Sequence, residues 1–168
     1  MPAGTLISEE EYLRSTFEPD AEYVNGKVVE RHLGELPHAW LQSLFVACCL
    51  RHRRQWNITA AVELRIRIGP GVYRIPDVCI YEGELTERVP SRPPLLWVEI
   101  LSPEDRLLAV NRKVRELLAA GCPYVWVIDP ETLESELHGP GQAARPVEDR
   151  VLRLPGTSIE IPLERLEE

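Results

Sequence analysis

The stretch that decides the fold is Leu95-Leu96-Trp97-Val98-Glu99-Ile100-Leu101, then Ser102-Pro103, a helical run over 107–120, Gly121-Cys122-Pro123, and Tyr124-Val125-Trp126-Val127-Ile128. The first apolar run carries one charge and reads as an inner strand covered on both faces. The run from Leu107 onward has helical character, and Gly121 and Pro123 end it. The second apolar run reads as another buried strand. A strand, a helix and a strand with so short a return form a βαβ unit, so the two strands are expected to be parallel neighbours.

The rest of the chain is arranged around this unit. Ser8-Glu9-Glu10-Glu11 has the capping-box pattern and predicts a short helix ending near Ser15, before Pro19-Asp20. Asn25-Gly26, between Tyr23-Val24 and Val28-Val29, supplies the positive φ angles of a tight hairpin turn. Pro37 opens a helix in which Trp40, Leu41, Leu44, Phe45, Cys48 and Cys49 recur at helical spacing, as far as about Arg54. Leu64, Ile66 and Ile68 alternate with Arg65 and Arg67, the period of a strand with one wet face. After the turn Gly69-Pro70-Gly71, residues 72–81 read as one returning strand, with Pro76 at a bulge or edge. Residues 82–94 are polar and proline-rich and predict a surface loop. Residues 133–138 predict an outer strand, 139–146 a loop, and 151–163 a short closing element. No repeat or linker interrupts the chain, so the expected architecture is a single α/β domain over 1–168 with a mixed sheet flanked by helices.

Composition narrows the function classes. The 168 residues carry a net charge of −8 with 44% hydrophobic and 27% charged residues, the profile of a globular chain with a real core. That excludes disorder and a disulfide scaffold, and it argues against coating nucleic acid by bulk charge. A local basic groove remains compatible with it. The start of the chain lacks a signal-peptide pattern and no stretch approaches a membrane span. Cys48, Cys49, Cys79 and Cys122 form no CxxC pair, so buried reduced thiols in the cytoplasm are expected and zinc is not. The 19 basic residues include only two lysines, Lys27 and Lys113.

Three residues carry the chemistry. Glu99 is an acid inside an apolar strand, costly to bury unless a cation or hydrogen-bond donors face it. It equally fits a strand-end glutamate paired with an arginine. Asp77, after Arg74-Ile75-Pro76, is on its own more simply a bulge acid beside a proline. Lys113, on the helix after the Glu99 strand, is on its own a solvated helix-face lysine. Taken together they suit metal-assisted phosphodiester hydrolysis. Two carboxylates and the backbone carbonyl of Ile100 would hold Mg²⁺ or Mn²⁺. The cation would bind a phosphate oxygen and lower the pKa of a water, and the ammonium would offset charge developing on phosphorus.

The order of these residues is similar to that of the Uma-two restriction-endonuclease family within the PD-(D/E)XK nuclease superfamily. The motifs that carry the resemblance are Arg74-Ile75-Pro76-Asp77-Val78, Val98-Glu99-Ile100-Leu101-Ser102-Pro103, Lys113, and Gly121-Cys122-Pro123-Tyr124-Val125-Trp126-Val127-Ile128-Asp129-Pro130. The opening Glu22-Tyr23-Val24-Asn25-Gly26-Lys27-Val28-Val29-Glu30 with His38 also matches, so the resemblance spans residues 5–138. It implies a restriction-endonuclease-like fold, Asp77 and Glu99 as metal ligands, and Lys113 as the catalytic lysine, moved from the glutamate strand to the next helix. It also implies a Mg²⁺-dependent endonuclease with DNA as substrate, and a homodimer with the apolar hairpin and N-terminal helix as candidate contacts. Many relatives carry an acid where this chain has Ala109 and a tyrosine where it has Leu117.

Further candidates follow. Glu22 and His38 match family positions near the cleft, although for His38 a hydrogen bond from a helix start to a loop is the simpler role. Glu63 is placed to face Asp77 across the hairpin, or is a solvated edge acid. Arg65, Arg67 and Arg74 share a strand-pair face suited to phosphate contacts. Arg51, His52, Arg53 and Arg54 complement a helix C-terminus or contact phosphates. Trp56, Trp97 and Trp126 read as core. Two rival readings stand beside a DNA endonuclease: a non-catalytic binding or assembly module on the same fold, and an RNA-directed or structure-selective phosphodiesterase.

Overall fold

A computed structural model describes residues 6–31 and 34–166. The Ser8 side chain accepts from the Glu11 N–H and caps helix α1 (Glu9–Arg14). Asn25 and Gly26, both at positive φ, turn strand β1 (Ala21–Val24) into β2 (Lys27–Glu30). Helix α2 (Leu36–Trp56) has Pro37 in its first turn, where a missing N–H costs nothing, and ends on Asn57 in the left-handed region. There follow β3 (Ile58–Val62), β4 (Ile66–Gly69), β5 (Val72–Arg74), β6 (Val78–Glu82) and β7 (Leu96–Ile100). Helix α3 (Leu107–Ala119) leads to β8 (Tyr124–Ile128). The chain closes with β9 (Ser135–His138), β10 (Arg145–Pro146), β11 (Val151–Arg153) and β12 (Glu160–Pro162).

The six-stranded sheet has the order β10-β9-β8-β7-β6-β3. Its one parallel pair is β7 with β8, as the βαβ reading requires; the other pairs are antiparallel, so the sheet is mixed. A four-stranded sheet, β2-β1-β5-β4, stands beside it, and β11 with β12 forms a hairpin. Alternation along the strands divides the core in two. Val78, Ile80, Leu96, Val98, Ile100, Trp126 and Ile128 pack with α2 and the closing hairpin. Cys79, Tyr81, Trp97 and Val125 pack with Val114 and Leu117 of α3.

The structure corrects the expected strand over 72–81. It is two strands in two sheets, β5 and β6, parted at Ile75-Pro76-Asp77. Pro76 has no N–H to give a ladder, so pairing stops there. Strand β4 begins only at Ile66, after a bend at Glu63, which sits at φ 49°. Strand β3 was not evident from the sequence: its Ala60 and Ala61 give no alternating hydrophobic signal, and pairing with β6 makes it a strand. The break at 75–77 matters most for function, since it delivers Asp77 to the seam between the sheets.

Phe45 is fully buried on α2, with its ring centroid 5.5 Å from that of Trp126. Phe45→Ala is expected to cost about 3–5 kcal/mol of folding stability through lost burial and an unfilled cavity, measured by chemical denaturation.

Candidate active site

Asp77 is 3% exposed, and its carboxylate is held from three directions. Oδ1 accepts from Arg31 at 2.6 Å, just beyond β2. Oδ2 accepts from the Ile100 N–H at 2.7 Å, at the end of β7, and lies 3.4 Å from His38 Nε2 at the start of α2. Gln42, one turn along the same helix face, donates to the Asp77 carbonyl at 2.8 Å. Burial pushes the carboxyl up, but the His38 contact and the Arg31 charge outweigh it, and the group is held below the usual carboxylate range. The hydrogen bond to Asp77, and then its negative charge, in turn raise His38 against the opposing effect of burial.

Glu99 lies two residues after Trp97, so strand alternation puts both on the α3 face. The Trp97 indole N–H and the Lys113 ammonium, the latter at 2.8 Å, both reach Glu99 Oε1. Lys113 also reaches Glu22 Oε1 at 3.1 Å and so bridges two carboxylates. Glu22, on β1, is 5% exposed; it further accepts from the Ile75 N–H at 3.0 Å and from Arg74 at 2.7 Å. Arg74 is shared with Glu116 on α3. Burial, with Asp77 and Glu22 nearby, lifts Glu99 to about 6 even against the pull of Lys113. Burial also works against charge on Glu22, yet Lys113 and Arg74 outweigh it and keep that group below its ordinary value. Lys113, disfavoured by burial but facing Glu99 and Glu22, is raised and stays an ammonium.

One cleft of about 490 Å³ contains Asp77, Glu99, Lys113, Ile100, Glu22, His38 and Arg74 in its lining. Helix α3, strand β7, the β1–β2 hairpin and the start of α2 form its walls. Glu63, Arg65 and Arg67 are not in the lining. Glu63 is exposed, the Arg65 guanidinium lies 4.3 Å over the Tyr12 ring, and Arg67 pairs with Glu9 at 3.5 Å. Arg51, His52, Arg53 and Arg54 are also elsewhere, at the far end of α2. Ala109 lines the cleft, whereas Leu117 is buried against the sheet.

Sequence reasoning missed Arg31, Arg112 and Glu116 in the cleft lining, and Gln42 on the Asp77 carbonyl. Gln42 and Glu116 had a signal, at four residues from His38 and three from Lys113, which puts each on the same helix face. Arg31 had none, because the hairpin carries it across the cleft to a residue far away in sequence.

Among the described residues no three His, Cys, Asp or Glu side chains converge as a ready-made metal cage. The donors present fit a hard cation that keeps much of its water and needs only one or two carboxylates. Asp77 and Glu99 supply oxygen donors, and Glu99, raised by burial and by the neighbouring acids, is a group whose charge a divalent cation would favour.

The comparisons now decide the family. A family model described as "Putative restriction endonuclease" (Uma2) matches residues 9–164. The chain belongs to this family. A search of curated proteins finds no match. Among solved structures, the chain is similar to a crystal structure described as "a putative nuclease belonging to DUF820" from Anabaena variabilis ATCC 29413. The identity is 23% over 95% of this chain and 97% of that one, with a TM-score of 0.79, which establishes a shared fold. The restriction-endonuclease-like architecture expected from the sequence is therefore the one observed.

The Glu22–Lys113 contact lends itself to a double-mutant cycle. Glu22→Gln and Lys113→Met are each expected to destabilise the protein, because each leaves a buried charge short of a partner. The double variant should lose less than the two losses combined, with a coupling of about 1–3 kcal/mol in denaturant titrations.

Proposed function

We propose that this member of the Uma2 family hydrolyses nucleic-acid phosphodiesters, with DNA as substrate and Mg²⁺ or Mn²⁺ as cofactor. One observation carries the reading: a half-buried lysine ammonium bridges two carboxylates in a cleft that also holds a third, Asp77. Asp77 and Glu99, with the Ile100 carbonyl, would hold the cation, and Lys113 is the catalytic lysine. When bound, the cation supplies Lewis-acid polarisation of the phosphate and activation of water.

The chain's own groups do the rest. Lys113 is fixed by Glu22 and Glu99, so its positive charge stands ready beside a phosphate that gains negative charge as water attacks and the P–O bond to the leaving oxygen breaks. Lys27, Arg31 and Arg112 add positive charge to the cleft lining and suit contacts to flanking phosphates. Arg74 faces Glu22 and Glu116, which makes it a brace for Glu22 more than a phosphate contact. No base-reading element is proposed, and the net charge of −8 favours salt-sensitive binding. No helix among the described residues is long and apolar enough to cross a membrane. The four buried free cysteines suit a cytoplasmic location.

A second reading has an observation of its own. Arg31 on Asp77 and Lys113 on Glu99 already neutralise the acids, which suits a binding or assembly module that keeps the fold without turnover. Calorimetry with Mn²⁺ separates the two. Wild type is expected to bind one divalent ion and Asp77→Ala to bind none; wild type that takes up no divalent ion sinks the metal reading. In a plasmid-nicking assay Lys113→Ala is expected to lose about 100- to 1,000-fold in rate. Equal background nicking by wild type and Lys113→Ala would establish the module instead.

A further inference from the structure

Helix α2 has no Asp, Glu, Lys or Arg from 36 to 50, yet it lies on the surface. Its inner face, Leu41, Phe45, Cys48 and Cys49, is buried in the core. Its outer face carries Leu36, Trp40, Ser43, Ala47 and Leu50, all exposed, with Leu36 at 77%, Trp40 at 55% and Leu50 at 48%. A helix that is apolar around its whole circumference is normally covered on all sides. Contiguous exposed apolar surface of this kind marks an interaction site.

The stripe indicates its occupant. Steps of four, three, four and three residues are the spacing of a helix-pairing seam. The positions are also placed symmetrically about residue 45. An antiparallel second copy of α2 centred there sets Ser43 opposite Ala47 of the second copy, Trp40 opposite its Leu50, and Leu36 opposite its Arg54. The two smallest side chains meet at the centre, where helices approach most closely, and the large ones close over each end. Glu35, exposed just before the helix, comes beside the exposed Arg54 of the second copy, and the two helix dipoles oppose.

We infer that the outer face of α2 is a two-fold, self-complementary interface between copies of this chain. The interface lies on α2, away from the hairpin and N-terminal helix that the sequence suggested. At about 1.5 Å rise per residue it holds the two clefts, each at the N-terminal end of its α2, about 20 Å apart along the helix axis. The inference is independent of the chemistry in the cleft.

Analytical ultracentrifugation of the full chain tests it. Wild type is expected at twice the 19.2 kDa chain mass. Ala47→Glu and Leu50→Glu are expected at the monomer mass, with circular dichroism unchanged because both positions are exposed. Ser43→Cys combined with Ala47→Cys is expected to form a disulfide between copies on mild oxidation, since the native cysteines are buried. A monomeric wild type overturns the inference, as does a dimer that survives both charged variants. A dimer in which the double cysteine variant forms no cross-link overturns the antiparallel register.

Discussion

The Asp77 carboxylate is the constraint on which the rest of the structure depends. A charge taken out of water is held only where donors meet it, and these come from three separate parts of the chain. Arg31 arrives from the end of the first hairpin, His38 from the start of α2, and the Ile100 N–H from the end of the central parallel strand. Together they outweigh the cost of burial and hold the acid below its ordinary value. Asp77 thus ties together the small sheet, the large sheet and the helix beside them, at the point where Pro76 ends one strand ladder before the next begins.

The same accounting extends across the cleft. Three acids lie close enough for Asp77 and Glu22 both to raise Glu99. Lys113, Arg74 and Arg31 lie against these acids and offset their mutual repulsion. Burial and the two neighbouring acids still leave Glu99 above its ordinary value. Stability and chemistry therefore draw on the same charges, and neither can be altered alone.

Membership of the Uma2 family and the shared fold set the frame, but a fold hosts many activities and the site must carry the argument for any one of them. The activity proposed for this one rests on Lys113. Lys113, on the helix after the glutamate strand, meets Glu99 because strand alternation aims Glu99 at α3. Crossover geometry lays the middle of α3 over the same face.

Much of this was legible in the residues. The apolar runs of β7 and β8, the Asn25-Gly26 turn, the Ser8 cap and the helical spacing in α2 and α3 are local signals, and each survived because packing agreed with local preference. The scarcity of lysine singles out Lys113, and the order Asp77, Glu99, Lys113 suggests one site for three individually ambiguous residues, which the fold brings to one cleft. The sequence by itself determined the βαβ unit, the mixed α/β class and the residue types available for chemistry, because these follow from periodicity and turn chemistry within a few residues. Only the tertiary structure decided that 72–81 is split between two sheets, that Arg31 and Gln42 serve Asp77, and that Glu22 shares Lys113 with Glu99. It also turned Arg65 and Arg67 away from the cleft, toward Tyr12 and Glu9. Those outcomes depend on charges and hydrogen bonds between segments far apart in the chain, which no local pattern encodes.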